Sequence, residues 1–244
     1  MQKNWLERTE LLLGEADLET LKNKNILVVG LGGVGSYAAE FLARVGIGRM
    51  TIVDGDTVDI TNVNRQLPAL QTTVGQSKAQ LMADRIRGIN PAVELVVIEE
   101  FLMPERMEEV VASGNFDFAL DCIDSVTPKI NLINACQINN VEIISSMGAG
   151  GKIDPMKIHV DDIGKSHTDP FARQLRKQFK HKGLKAQNFT VVYSEERNIE
   201  GSLRMTDGTN FKKSFYGTIS YIPALFGLHM AAFVIRKLVG RLEN

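Results

Sequence analysis

The chain has 244 residues, 44% hydrophobic and 23% charged, with a formal net charge of -1. That is enough apolar residue for a full core, which excludes extensive disorder, and a near-neutral balance excludes a globally basic nucleic-acid coat. Two cysteines, Cys122 and Cys136, exclude a four-cysteine zinc site and a dense disulfide framework. Met1 to Glu10 carries Lys3, Glu7, Arg8 and Glu10 with no apolar stretch behind a basic start, so a cytoplasmic chain without a secretory signal is expected.

Taken in order, the elements alternate. Leu11 to Leu21 carries the apolar residues of an amphipathic helix, and Asn25 to Gly30 is a short unbroken apolar run. Such runs suit a parallel strand buried on both faces. A helix is expected over Ser36 to Val45, a strand over Met50 to Val53, and a helix over Ser77 to Ile89, closed by Asn90-Pro91. There follow a strand (Val93 to Ile98), a helix (Pro104 to Ala112), a strand (Phe116 to Leu120), a helix (Pro128 to Asn139) and a strand (Val141 to Ser145). This alternation predicts an α/β fold with a doubly wound, mainly parallel sheet and right-handed crossovers. Strands over Lys157 to Val160 and Phe189 to Ser194, a basic helix from Asp169 to Lys185 and a surface loop from Asn198 to Thr209 make a smaller, irregular C-terminal part. Ser214 to Ile235 has no charged residue, but Gly217, Ser220, Pro223, Gly227 and His229 dilute it. A loop followed by a buried helix from Pro223 to Leu238 is expected rather than an integral membrane span. One continuous domain over 1–244 is the simplest division, with a nucleotide-binding core in 1–155 and a substrate and dimer region in 156–244.

Gly30-Leu31-Gly32-Gly33-Val34-Gly35 follows a strand and opens a helix. Glycines at 30, 32 and 35 fit G-x-G-x-x-G: a tight turn, close backbone approach to phosphate, and the positive end of a helix dipole. Asp54 ends the next strand, where an acid accepts ribose hydroxyls. The motif alone fits NAD, FAD, S-adenosylmethionine and ATP equally. The residues that follow discriminate. Arg65, in Asn62-Val63-Asn64-Arg65-Gln66, and Lys78 exceed what a diphosphate bridge needs. A triphosphate carries more charge, and its in-line displacement develops charge that fixed cations stabilise. Asp121 and Asp124 follow the fourth strand, where hard oxygen ligands suit a magnesium ion on phosphates.

This constellation resembles the ubiquitin-activating-like (ThiF) superfamily, with its thiamine and molybdopterin adenylyltransferases. The carrying residues are Gly30 to Gly35 (Gly33 among them), Asp54 and Asp56, Asn62 with Arg65-Gln66, Lys78, and Asp121-Cys122-Ile123-Asp124, over roughly the first 155 positions. The resemblance implies that Asp54 holds the ribose, that Asn62, Arg65 and Lys78 grip phosphates, and that Asp124 organises magnesium. It also implies that Arg8 reaches into the partner's site of a homodimer. Branches with zinc carry two Cys-x-x-Cys pairs, and thioester-forming branches need a late cysteine. This chain has no such pair and no cysteine after Cys136, so no zinc is expected and an activated carboxylate lacks the usual thiol acceptor. Whether Cys122 is reactive stays open.

Trp5-Leu6-Glu7-Arg8, Asp121 to Ser125, Met147 to Pro155 and Asp169-Pro170-Phe171 resemble the tRNA threonylcarbamoyladenosine dehydratase family. That resemblance implies AMP transfer to the threonine carboxylate of a carbamoylated adenosine beside the anticodon. Attack by a nitrogen of the substrate's own urea then closes a ring, with no enzyme nucleophile. A tRNA partner needs a basic surface. Arg173, Arg176, Lys177, Lys180, Lys182 and Lys185, with His181 between them and Phe171 and Phe179 interleaved, face no acid from Pro170 to Thr190. The alternatives are an adenylyltransferase for a ubiquitin-like sulfur carrier, a non-catalytic nucleotide-binding adaptor and a nicotinamide oxidoreductase. A sulfur-relay partner and peripheral membrane contact through the tail stay open.

Overall fold

A computed structural model describes residues 4–184, 189–205 and 214–242. Seven strands form one sheet, β1 (Asn25–Val29), β2 (Arg49–Val53), β3 (Glu94–Ile98), β4 (Phe118–Asp121), β5 (Ile143–Ser146), β6 (Ile158–Asp162) and β7 (Thr190–Ser194). Their order is β3-β2-β1-β4-β5-β7-β6, all parallel except β6, which runs antiparallel to β7. The expected mainly parallel, doubly wound sheet is the observed one.

The apolar run of β1 explains its place at the centre. Ile26 and Val28 pack into the core on one face, Leu27 and Val29 into the core on the other, and all four are buried. Period-two alternation with apolar residues on both sides is what a strand covered on both faces requires. The first core is closed by α2 (Glu15–Lys22), α3 (Gly35–Arg44), α4 (Lys78–Ile89) and α8 (Tyr221–Leu238). The second is closed by α5 (Pro104–Ser113), α6 (Val126–Ile138) and α7 (Pro170–His181). Ser77 caps α4 by accepting from Gln80 N, and Asp169 caps α7 by accepting from Phe171 N and Ala172 N, as N-cap side chains do.

By length and apolar content α8 would cross a bilayer. Here Ile222, Phe226, Met230 and Val234 form a stripe at helical spacing that is buried in the first core. Three expectations change. The N-terminal helix is two helices, α1 (Glu7–Leu13) and α2, broken at Gly14 with φ +89°. The loop expected over Asn198 to Thr209 contains β8 (Leu203–Met205), which pairs antiparallel with β9 (Ser214–Tyr216), inside the loop expected before α8. Residues 206–209 of that loop, and Lys185, lie outside the described residues.

Candidate active site

The order β2-β1-β4 places a switch point at the carboxyl ends of β1 and β4, the usual ligand crevice of such sheets. The Gly30–Gly35 turn lies there. Gly30 has φ +91°, and a Cβ on Gly35 would stand 1.8 Å from Gly30 O, so neither position accepts a side chain. No side chain caps α3 at its N-cap Val34, and the first turn of a helix offers N–H groups with no intrahelical acceptor.

Asp54 ties this turn to β2. Its Oδ2 accepts from Leu31 N at 2.6 Å and its Oδ1 from Asp56 N at 2.8 Å. Burial pushes its carboxyl above the ordinary aspartate value, while those two N–H groups and Lys78 pull it back down. Lys78, in the first turn of α4, points its Nζ at Asp56 Oδ2, 2.9 Å away. Arg65 follows a one-turn 3-10 helix (Ile60–Asn62) and donates to Thr61 O at 2.8 Å and Asn64 Oδ1 at 2.9 Å. Burial lowers its guanidinium from the ordinary arginine value, and Asp124 and Asp59 pull it back up. Hydrogen bonds from Thr61 hold the Asp59 carboxyl low, helped by Lys78 and Arg65. Lys78 and Arg65 both lie within electrostatic reach of Asp59, so the two cations stand at the same end of the sheet. Asn62, buried, accepts from Asp59 N at 3.1 Å and closes a capping box around that turn. Gln66 sets its buried amide beside Gly32, and its Oε1 has no hydrogen-bond partner among the described residues.

The two strand-end carboxylates part company. Asp124 is exposed at the mouth, within electrostatic reach of Arg65. Asp121 is wholly buried. Its Oδ2 receives Lys129 Nζ at 2.7 Å and Ser145 Oγ at 2.6 Å, and its Oδ1 receives Ile123 N at 3.1 Å. An internal ion pair replaces the ligand role expected of Asp121 toward ATP and magnesium. Lys129, which also donates to Ser146 O at 2.9 Å, escaped the sequence reading. The available signal was its being the single charge in an otherwise uncharged helical stretch, Pro128 to Asn139. A second buried pair, Lys152 with Asp169 at 3.7 Å, also escaped; Lys152 donates to Glu196 O and Asn198 Oδ1, each at 3.1 Å.

Arg8 is not brought to the crevice of its own chain. Leu6 packs on Gly46, which precedes β2, so α1 starts at the amino ends of the strands and Arg8 is exposed there. The Cys122 thiol is pushed well above its ordinary value by burial and by Asp121, and its Sγ lies 3.8 Å from Met230 Sδ. Burial pushes Cys136 up to about 12. Neither thiol is set up as a nucleophile.

The basic helix sorts its cations. Arg173, Lys177 and Lys180 recur at helical spacing and are exposed, as is Lys182 beyond its end. Arg176 instead donates to Ile163 O and Ser166 O at 3.0 Å each, and also to Ser166 Oγ. It closes the one-turn helix Ile163–Lys165, which removes it from the solvent-facing stripe expected of it. Phe179 is buried against Phe189, with centroids 6.0 Å apart, so it offers no ring to a base.

Among the described residues no group of three or more His, Cys, Asp or Glu is arranged to hold a metal ion. A magnesium ion needs no such cage: it keeps waters and binds through one or two carboxylates plus substrate phosphates. Asp124 fits that donor set and Asp121 does not.

Residues 6–244 match the model of the ThiF family. A tRNA threonylcarbamoyladenosine dehydratase from Bacillus subtilis is 41% identical, over 97% of this chain and 95% of its own length. The crystal structure of the Escherichia coli tRNA N6-threonylcarbamoyladenosine dehydratase in complex with ATP matches with a TM-score of 0.86 at 36% identity, covering 97% of this chain and 94% of that one. The molybdopterin-synthase adenylyltransferase of Salmonella typhimurium, 36% identical, matches 52% of this chain and 50% of its own length.

Proposed function

The chain belongs to the ThiF family, and from that premise we propose that it dehydrates threonylcarbamoyladenosine next to the anticodon of tRNA, using ATP. The threonine carboxylate attacks the α-phosphate and pyrophosphate leaves. A nitrogen of the substrate's own urea then attacks the acyl carbon and AMP leaves, so the ring closes with net loss of one water. The second step is intramolecular, so its reactants are already held together. No enzyme thiol is needed, in keeping with the raised Cys122 and Cys136.

The Gly30–Gly35 turn and the open end of α3 receive the phosphates. Asp54 accepts the ribose hydroxyls on the lone pairs that Leu31 and Asp56 leave, with Asn62 and Gln66 shaping the wall. Arg65 and Lys78 stabilise the negative charge that develops on the phosphoryl oxygens. A magnesium ion held at Asp124 would neutralise charge on the leaving pyrophosphate. Arg8, far from its own crevice, serves that of a second subunit, which makes the working unit a homodimer. Residues up to about 155 carry the nucleotide. The remainder carries the tRNA and subunit contacts, with Arg173, Lys177, Lys180 and Lys182 meeting phosphates. Two free cysteines support a reducing, cytoplasmic setting.

The observation that carries this reading is the gathering of Lys78 and Arg65 beside an uncapped glycine turn. Full-length likeness to a tRNA threonylcarbamoyladenosine dehydratase, against half-length likeness to a molybdopterin-synthase adenylyltransferase, favours the tRNA reading over the sulfur-carrier one. The test incubates the chain with ATP, magnesium and threonylcarbamoylated tRNA and weighs the released nucleosides. Loss of one water from the modified adenosine is expected. An unaltered nucleoside, with pyrophosphate exchange driven by a ubiquitin-like carrier instead, would overturn it.

A further inference from the structure

We propose that the β8–β9 ribbon recognises an unstacked base of the substrate RNA through Phe215 and Arg204, an assignment that rests on the tRNA reading above. The register of the ribbon comes first. Arg204 pairs with Phe215, whereas Leu203 pairs with Tyr216 and Met205 with Ser214. Residues directly opposite on an antiparallel pair share a face, and successive pairs alternate faces. Tyr216 packs on the backbone of Gly150 and Gly151. Tyr216 anchors the ribbon there, Leu203 and Met205 are exposed around it, and Arg204 and Phe215 form the adjoining pair of the ladder. Phe215 is 49% exposed and Arg204 is exposed beside it.

A ring half in water with a guanidinium opposite is the chemistry that holds single-stranded bases. Every base has a π face for the ring, and the cation meets the adjoining phosphate or stacks in its turn.

The position of the ribbon fits this occupant. Gly151 N donates to Gly217 O at 2.8 Å, Ile199 N donates to Gly151 O at 2.9 Å, and Asn64 Nδ2 donates to Thr218 O at 2.9 Å. Asn64 is the residue whose Oδ1 holds the Arg65 guanidinium. The ribbon is thus fastened to the phosphate-gripping segment. At the other end of the same turn, Gly148 lies against Phe171 and Asp169, where the cationic helix α7 begins. Four residues, 148–151, separate the two elements, a span of at most ~14 Å. The turn thus joins the ribbon to the start of α7, and on our proposal a modified adenosine in the crevice sends its flanking phosphates toward α7 and a neighbouring base toward Phe215.

The experiment measures binding of a fluorescein-labelled anticodon stem-loop RNA, and of a fully paired duplex of the same length, by anisotropy. It uses the full chain and its Phe215→Ala, Arg204→Ala and Phe215→Trp variants, with size-exclusion elution recorded for each. Phe215→Ala is expected to weaken stem-loop binding roughly tenfold while duplex binding holds. Arg204→Ala is expected to weaken it several-fold, and Phe215→Trp to retain it. Equal stem-loop affinity in the two alanine variants and the parent, or no stem-loop binding by the parent, overturns the proposal. So does a Phe215→Ala chain whose elution shifts while its RNA affinity stays, which makes the face a contact between copies. Failure of the parent to dehydrate tRNA while Phe215 still governs stem-loop binding overturns the dehydratase reading and leaves the ribbon supported.

Discussion

Lys78 and Asp56 form an ion pair of unequal partners: 2.9 Å apart, with the lysine side chain 6% exposed and the aspartate 53%. The anion can leave for water and let a phosphate take its place; the cation cannot follow. Lys78→Met keeps the buried stem and removes the charge. Its adenylation rate, read by pyrophosphate release, is expected to fall about 10²–10³-fold. Its unfolding free energy, from urea titration, should fall by no more than a half-exposed pair is worth, about 1 kcal/mol or less. A rate within twofold of the parent would remove Lys78 from the chemistry.

On the proposed ribose role of Asp54, this carboxylate sets the acid side of nucleotide binding. Burial raises its carboxyl above the ordinary value of 3.8, opposed by the N–H groups of Leu31 and Asp56. A carboxylate raised on folding favours the folded state while protonated. Its contribution to stability is present below the unfolded value and is lost as pH rises through the folded one. Nucleotide binding has the opposite sign, because only the ionised group accepts both ribose hydroxyls. Affinity for adenosine, which lacks the titrating phosphates, is expected by calorimetry between pH 4 and 8 to weaken on acidification at a pH above 3.8. Asp54→Asn should bind weakly throughout, with no acid limb. An acid limb that survives in Asp54→Asn would assign it to another group.

Asp121 and Lys129 are both wholly buried, 2.7 Å apart. Removing one partner strands the other charge, which costs about 3–5 kcal/mol, whereas replacing both is far milder. Lys129→Met is expected to lose that much in urea unfolding, and Lys129→Met with Asp121→Leu to recover most of it. A Lys129→Met variant as stable as the parent would show that Asp121 is held by Ser145 and Ile123 alone.

What was legible in the sequence was local. The strand, glycine turn and helix from Asn25 to Arg44 announce themselves within 20 residues, and Asp54 sits at the end of the next apolar run. Asp121 was misread because a strand-end carboxylate looks the same whether it meets solvent or a lysine. Only the lone charge in an apolar helix, Lys129, tells them apart. The ribbon left no trace because its strands have three residues each, too few for alternation to register. Arg176 was misread because a run of like charges says nothing of which members turn inward. At 100° per residue Arg176 falls beside the buried Ala172, Leu175 and Phe179.

That division within α7 separates two kinds of loss. Arg173, Lys177 and Lys180 face water on one side of the helix, and Arg176 ties its other edge to Ile163 O and Ser166 O. Arg173→Ala, Lys177→Ala and Lys180→Ala should each weaken tRNA binding and flatten the plot of log K against log salt. Each lost phosphate contact lowers the slope by about 0.7–0.9, with stability unchanged. Arg176→Ala leaves carbonyls unpartnered at the one-turn helix, so its expected cost is in stability, about 1–3 kcal/mol, with the salt slope retained. The two readouts cross: a slope that falls in Arg176→Ala, or an unfolding midpoint that falls in Arg173→Ala, would exchange the roles of the two arginines and move the phosphate-facing edge of α7 toward Ser166.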